Sequence, residues 1–114
     1  MRVNHNKLIR DRIPEIIEAA GHHAATHVLD GPEYRTALLA KLVEEATEAQ
    51  SASRADLPDE LADIWEVLHA LLSTLPMTSV ELETLAATKR GARGGFARRI
   101  FLEYTEQNDS TSHR

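Results

Sequence analysis

The chain has 114 residues, a net charge of −5 with histidine neutral, and no cysteine, so it suits one small domain without disulfides, thiolate chemistry or sulfur-ligated zinc. The acidic balance argues against binding to a nucleic-acid polymer. No apolar run approaches the roughly 20 residues that span a bilayer, and the first residues hold no signal peptide, so we expect a cytoplasmic protein with no membrane partner.

The first half of the chain predicts one short and one long helix. RIPEIIEAAGHH indicates a short helix, with Pro14 in its first turn and Gly21 at its end. Residues 25–31 have weak strand character. Asp30 and Glu33 then form a capping-box pattern, and a period near 3.6 predicts a helix over about 33–52. Its apolar residues are Leu38, Leu39, Leu42, Val43 and Ala46.

The second half predicts two more helices. Residues 51–56 form a loop, after which Pro58 opens a strongly apolar helix that Pro76 ends. We expect Trp65 in the core, because it shares a side of this helix with several leucines. A further helix is expected over 79–90 up to Gly91, followed by a flexible GARGG link. Residues 96–105 predict a short strand or helix, and residues 107–114 a disordered tail.

Each long helix carries an acidic pair at i, i+3 on the margin of its apolar side. Glu45 and Glu48 form the first pair and Glu60 and Asp63 the second, while Glu44 points further toward solvent. If the helices pack antiparallel, as a short loop favours, the two pairs converge. Four carboxylates so close repel one another unless a cation lies among them. Oxygen ligands without sulfur suit Mg²⁺, with Mn²⁺ as a substitute.

An ordinary solvated helix surface is the alternative interpretation of these acids. Acidic residues in a first turn offset the helix macrodipole, which would account for Glu60 and Asp63 without a metal. Lys41 lies four residues before Glu45, the spacing of an exposed helical ion pair. Spacing alone leaves both interpretations open, although two such pairs on adjacent helices are more specific than one.

The motifs EEATE and DELAD resemble the Glu-x-x-Glu and Glu-x-x-Asp signature of the MazG-like all-α nucleoside triphosphate pyrophosphohydrolases. NKLIRDRIPEII near the start and RGGFARRIFL near the end resemble the small stand-alone branch called phosphoribosyl-ATP pyrophosphohydrolase-like, or house-cleaning pyrophosphatases. The resemblance covers residues 4–102. It implies an all-α helical bundle over 1–106 with two long antiparallel central helices, completed by dimerisation. A small β appendage is left open.

The resemblance also implies a Mg²⁺-dependent enzyme that cleaves a nucleoside triphosphate between its α- and β-phosphates, giving the monophosphate and pyrophosphate. Matched position by position, the family's metal ligands fall on Glu45, Glu48, Glu60 and Asp63. Glu44 matches an acid that often precedes the first ligand, and it would support the ligands or accept a proton from the attacking water. The chain departs from the family in a short spacer between the motifs and in Asp59, where another Glu is common.

A triphosphate needs cationic partners besides the metal. Lys7, Arg10 and Arg93 are the expected substrate contacts because they lie within the resembling motifs, and Lys41 joins them from the first acidic helix. Each of these side chains could equally be solvated or paired with an acid, as in an Arg10–Asp11 ion pair.

The expected function is therefore house-cleaning hydrolysis of noncanonical nucleotides. Two alternatives stay open, a phosphoribosyl-ATP pyrophosphohydrolase and a noncatalytic helical protein-interaction module. We expect a homodimer or a higher homo-oligomer, because Leu71, Leu72 and Leu75 extend the apolar side of the second long helix beyond what one partner helix covers.

Overall fold

The computed structural model describes residues 1–107. This part of the chain contains four helices and no strand. α1 spans Ile13–Ala19, α2 Gly31–Ser51, α3 Leu57–Leu72 and α4 Ser79–Arg93. The predicted all-α class is confirmed for this part of the chain. The tail expected over 107–114 lies outside the described residues except for Gln107. None of the four helices combines the length and apolar character that a membrane crossing requires.

Local sequence signals set the bounds of the first two helices. α1 has Pro14 in its first turn, and Gly21 follows it in the left-handed conformation, with φ 91°. α2 begins with a complete capping box. The Asp30 carboxylate accepts from the backbone N–H of Glu33 at 2.8 Å, and the Glu33 carboxylate accepts from the backbone N–H of Asp30 at 3.3 Å. Both helices lie where the pattern predicted them.

Three predictions of local structure are wrong. Residues 25–31 contain no strand, and the backbone is extended at Asp30, the cap residue of α2. α4 continues past Gly91 and stops at Gly94, whose φ is 84° and whose N–H donates to the carbonyl of Arg90 at 2.7 Å. Residues 96–105 form neither strand nor helix. A strand needs a neighbour for its backbone groups, and residues 1–107 provide none, so the β appendage is absent from this part.

The chain divides into two compact units, Met1–Ser79 and the residues from Val80 onward. In the first unit, Arg35 near the start of α2 donates to the backbone carbonyl of Thr74, just beyond the end of α3, at 2.7 Å. Glu45, further along α2, lies beside Glu60 near the start of α3. The two long helices therefore run antiparallel.

Little apolar surface is buried between these helices. Among the described residues, Leu38 and Val67 are the buried apolar side chains, with 2% and 7% of their surface exposed. The expectation that Trp65 belongs to the core is wrong for the single chain, since its exposed fraction is 65%. Leu61 and Leu68 are exposed beside it. The reason is that α3 carries apolar residues on two sides, and α2 covers the side that includes Val67.

The described part of the second unit, residues 80–107, has no buried side chain. Val80, Leu82 and Leu85 of α4 are exposed. After the helix, Phe96 and Phe101 are almost fully exposed, at 97% and 87%. This unit therefore has no apolar core of its own within these residues.

Candidate metal and phosphate site

Three carboxylates from two helices meet inside the α2/α3 pair. One oxygen from each of Glu45, Glu60 and Asp63 lies within 4.8 Å of the other two. We call these three residues the carboxylate cluster. Glu45 comes from the second half of α2, and Glu60 and Asp63 come from the first two turns of α3. Antiparallel packing brings these two parts of the helices side by side.

Two oxygens of the carboxylate cluster are buried without a hydrogen-bond partner. Glu45 has 7% of its surface exposed, and its Oε2 atom accepts no hydrogen bond. The Oε2 atom of Glu60 is in the same situation. A buried carboxylate oxygen is costly unless a donor or a cation satisfies it. The oxygen-only set of ligands is the kind that Mg²⁺ and Mn²⁺ prefer.

The negative charge around Glu45 and Glu60 is only partly compensated by neighbouring cations. Burial raises the pKa of Glu45, repulsion by Glu48 raises it further, and Lys41 opposes both. Burial likewise raises the pKa of Glu60, followed by repulsion from Glu48 and Asp63. Both carboxyl groups therefore hold a proton more tightly than they would in the unfolded chain. A positive charge among them would reverse this tendency.

Two lysines lie beside the cluster and share one acid, Glu44. Lys41 Nζ is 3.3 Å from Glu44 Oε1 and 3.6 Å from Glu45 Oε1. Lys7 Nζ is 3.4 Å from Glu44 Oε2. Burial tends to raise the pKa of Glu44, but the hydrogen bonds and charges of Lys41 and Lys7 together outweigh it, so the pKa of Glu44 is lowered. Glu44 is therefore a firmly ionised carboxylate between two ammonium groups.

Residues 1–12 contain no regular structure, apart from a turn at their end, and reach the cluster through Arg10. Its Nη2 atom donates to Asp63 Oδ1 at 2.7 Å. Arg10 thus pairs with Asp63 rather than with Asp11, its neighbour in the chain. The sequence alone does not indicate this contact, because two residues 53 positions apart share no periodic spacing. Asp63 has a strong partner in Arg10, whereas the partnerless oxygens belong to Glu45 and Glu60.

The other residues expected in the site stand as follows. Glu48 lies near enough to raise the pKa of Glu45 and Glu60, but it is not one of the three clustered carboxylates. Arg93 is exposed in the last turn of α4, in the second unit, so its contact with substrate stays a prediction. The assignment of the acids as metal ligands likewise stays a prediction.

Comparison with known proteins gives one partial match. An uncharacterized protein of Mycolicibacterium smegmatis is 46% identical to the chain over 50 residues, which are 44% of this chain and 51% of that protein. The matched segment thus spans about half the length of this curated relative. A scan against models of protein families finds no match, and no solved structure matches the chain. The activity must therefore be inferred from the residues of the site.

Proposed function

We propose that the protein is a Mg²⁺-dependent nucleotide pyrophosphohydrolase of the MazG-like kind. It would cleave a nucleoside triphosphate between the α- and β-phosphates and so remove noncanonical nucleotides. The observation that carries this proposal is the meeting of Glu45, Glu60 and Asp63 within 4.8 Å, with two buried oxygens that lack a partner. This set of oxygens fits Mg²⁺. When bound, the ion would polarise the phosphoryl group and favour ionisation of a water molecule.

The acids divide into two roles in this proposal. Glu45, Glu60 and Asp63 would hold the cation, and Glu48 would join them from the next turn of α2. Glu44 is a weak base because its pKa is lowered, so it is poorly suited to take the proton of the attacking water. We propose instead that Glu44 orients Lys7 and Lys41 toward the phosphates.

The two lysines supply the expected phosphate contact. Together with Glu44 they line a surface cavity of about 130 Å³. The three cluster residues do not line this cavity, but Lys41 contacts Glu45 of the cluster at 3.6 Å. The two ammonium groups therefore lie beside two carboxylates, those of Glu44 and Glu45. Phosphate oxygens of the leaving pyrophosphate would be attracted to these ammonium groups once a divalent cation offsets the charge of the acids. Arg93 is proposed as a further phosphate contact, and the family resemblance alone supports this role.

We further propose that two copies of the chain pack through an apolar face, which consists of Leu39, Val43, Leu61, Trp65 and Leu68. Their exposed fractions range from 41% to 67%. Each of these residues directly follows a buried or half-buried position that lies toward the other helix. One residue further along the chain is about 100° further around a helix. In two antiparallel helices, this step from the position that faces the partner helix leads to the same side of the pair, so all five residues lie on one side. A contiguous apolar face of this kind is typical of subunit interfaces.

The activity is tested by incubating the purified protein with Mg²⁺ and a panel of standard and damaged nucleoside triphosphates, and by measuring pyrophosphate. Glu60→Gln and Asp63→Asn each remove a charged ligand, so we expect kcat/KM to fall at least about 100-fold. Glu66→Gln is the matched control, because Glu66 is an exposed acid of α3 outside the cluster. We expect it to keep the wild-type rate.

Three outcomes would reject or redirect the proposal. Absence of cleavage across the panel would reject it, as would full activity in Glu60→Gln. Preferential turnover of phosphoribosyl-ATP would assign the biosynthetic alternative instead.

A further inference from the structure

The cluster already contains one bound cation, which is the guanidinium group of Arg10. It lies 2.7 Å from Asp63, although both side chains are about half exposed, at 55% and 42%. Glu45 and Glu60 each keep a buried oxygen without a partner. The protein thus pairs the half-exposed Asp63 with its own arginine and leaves one buried oxygen each of Glu45 and Glu60 without a hydrogen-bond partner.

Arg10 belongs to a segment that connects both helices of the pair. Lys7 contacts Glu44 on α2, and Arg10, three residues later, contacts Asp63 on α3. Residues 1–10 have no helix or strand of their own, so the segment can shift without breaking regular structure. Its contacts with α2 and α3 include these two ion pairs, whereas the Arg10 carbonyl accepts from the backbone N–H of the first residue of α1 at 3.0 Å. The side chain of Arg10 can therefore leave Asp63 while its backbone stays in place.

We infer that Arg10 competes with the divalent cation for Asp63 in the free protein, and that it passes to the phosphates when a triphosphate binds. The inference rests on the proposed function. A guanidinium group at 2.7 Å occupies a lone pair of Asp63 and repels an incoming divalent ion. Release of Arg10 costs less when a new anion accepts it, and guanidinium groups bind phosphate oxygens in pairs of hydrogen bonds. Metal and triphosphate therefore bind cooperatively.

The competition is tested by titrating the full-length protein with Mn²⁺ alone and following free Mn²⁺ by electron paramagnetic resonance. We expect Arg10→Met to bind Mn²⁺ about two- to fivefold more tightly than wild type, which is the range for loss of a half-exposed ion pair. Arg10→Lys keeps the charge and should bind nearly as wild type does. Arg12→Met is the matched control, because Arg12 lies two residues on and pairs with Glu15 at 3.0 Å instead.

The transfer to phosphate is tested with tripolyphosphate as the probe, by calorimetry at saturating Mg²⁺. Here we expect Arg10→Met to bind about two- to fivefold more weakly than wild type, because the phosphate chain loses a partner. One substitution would thus change the two affinities in opposite directions. A purely structural role for Arg10 predicts that both affinities fall together. Equal melting temperatures in EDTA would show that the variants are folded.

Failure of this inference and failure of the proposed function give different results. If Arg10→Met binds Mn²⁺ no more tightly than wild type while nucleotides are cleaved, the inference alone is overturned. If Arg10→Met shows the opposite changes while no nucleotide is cleaved, the inference stands and the proposed function falls. If the wild-type protein does not bind Mn²⁺, the inference is overturned as well.

Discussion

At the scale of single residues, Glu45 combines burial, negative charge and an oxygen atom without a partner. Its other oxygen lies 3.6 Å from Lys41, which is too long for a strong hydrogen bond. The raised pKa shows that this contact does not offset burial and the neighbouring acids. Evolution of a purely structural helix pair would favour an apolar residue at such a position. In the proposed function, the cation that Glu45 would bind accounts for this burial.

Glu45→Gln should have opposite effects on stability with and without metal. In EDTA it removes a buried charge, so we expect the free energy of unfolding to rise by about 1 kcal/mol, which raises Tm by about 4 °C. Saturating Mg²⁺ should raise the Tm of the wild type but not that of the variant, because a ligand binding the folded state stabilises it. Scanning calorimetry in both buffers checks this prediction.

Glu66→Gln serves as the control for these measurements, and we expect it to behave as wild type in both buffers. A Glu45→Gln protein that melts below wild type in EDTA would show that the contact with Lys41 outweighs the burial of charge. A Mg²⁺ response that survives in Glu45→Gln would remove Glu45 from the metal site.

The raised pKa values of Glu45 and Glu60 also predict how stability depends on pH without metal. The folded chain binds these two protons more tightly than the unfolded chain does. Both groups therefore increase the free energy of unfolding at pH values below the ordinary glutamate pKa of 4.5, and this contribution is lost as the pH rises through their pKa values in the folded chain. The contribution of Glu44 to stability depends on pH in the opposite direction. Its pKa is lowered, so its contribution is present above 4.5 and is lost as the pH falls further.

Urea denaturation in EDTA at about pH 5 and about pH 7 separates these effects. We expect the free energy of unfolding to decrease more between the two pH values in wild type than in Glu45→Gln, since the variant lacks one of the two groups responsible. An equal or larger decrease in the variant would contradict the raised pKa of Glu45. Comparison of the two proteins cancels the contribution of the histidines, which both contain.

At the scale of elements, the bounds of α1 and α2 were predictable because the signals that set them are local, whereas α3 ends before Pro76, at Leu72, and α4 runs past Gly91. Asp30 and Glu33 specify the start of α2, and the period of the leucines specifies its course. The strand expected over 25–31 failed because a strand depends on a neighbour that no local pattern reveals. The same limit applies to Trp65. The period predicted an apolar side of α3, but it could not tell which of two apolar sides faces α2.

The capping box of α2 gives a direct test at this scale. Asp30→Ala removes the carboxylate that accepts from the N–H of Glu33, so we expect a loss of about 1 kcal/mol in the free energy of unfolding. Thermal denaturation by circular dichroism measures it. Asp56→Ala is the matched control, because Asp56 occupies the same position before α3 and its side chain accepts no capping hydrogen bond. A loss of similar size in both variants would contradict the role of the cap.

At the scale of the whole molecule, residues 1–107 bury too little apolar surface to account for a stable fold by one chain alone. Leu38 and Val67 are their buried apolar side chains, while the apolar face stays exposed. Chains of this size bury roughly two thirds of their surface when they fold independently. The convergence of Glu45, Glu60 and Asp63 was predictable from their spacing and from a short loop between antiparallel helices, but the fourth expected acid, Glu48, lies outside the cluster. The small size of the buried core was not predictable, because it becomes visible only when the exposure of both apolar sides of each helix is known.

The proposed dimer predicts that a charge on the apolar face separates the copies. We expect Trp65→Glu to elute as a monomer at micromolar concentration in size-exclusion chromatography with light scattering, because burying the new carboxylate twice in one interface is costly. The wild type should elute as a dimer. Glu66→Lys is the control, since Glu66 is exposed and lies about 100° around α3 from Trp65, on the side away from Leu68. A monomeric wild type, or a dimeric Trp65→Glu, would contradict the use of this face.

Lys41 follows Leu39 by two residues, which is about 200° around α2. The cavity lined by Lys7, Lys41 and Glu44 therefore lies on the side of α2 away from the apolar face. In the proposed dimer, the two cavities would lie on the outer flanks of the assembly, and the copies would not need to separate for a nucleotide to enter. A dimer built from one intact and one inactivated copy would then be expected to retain half of the turnover.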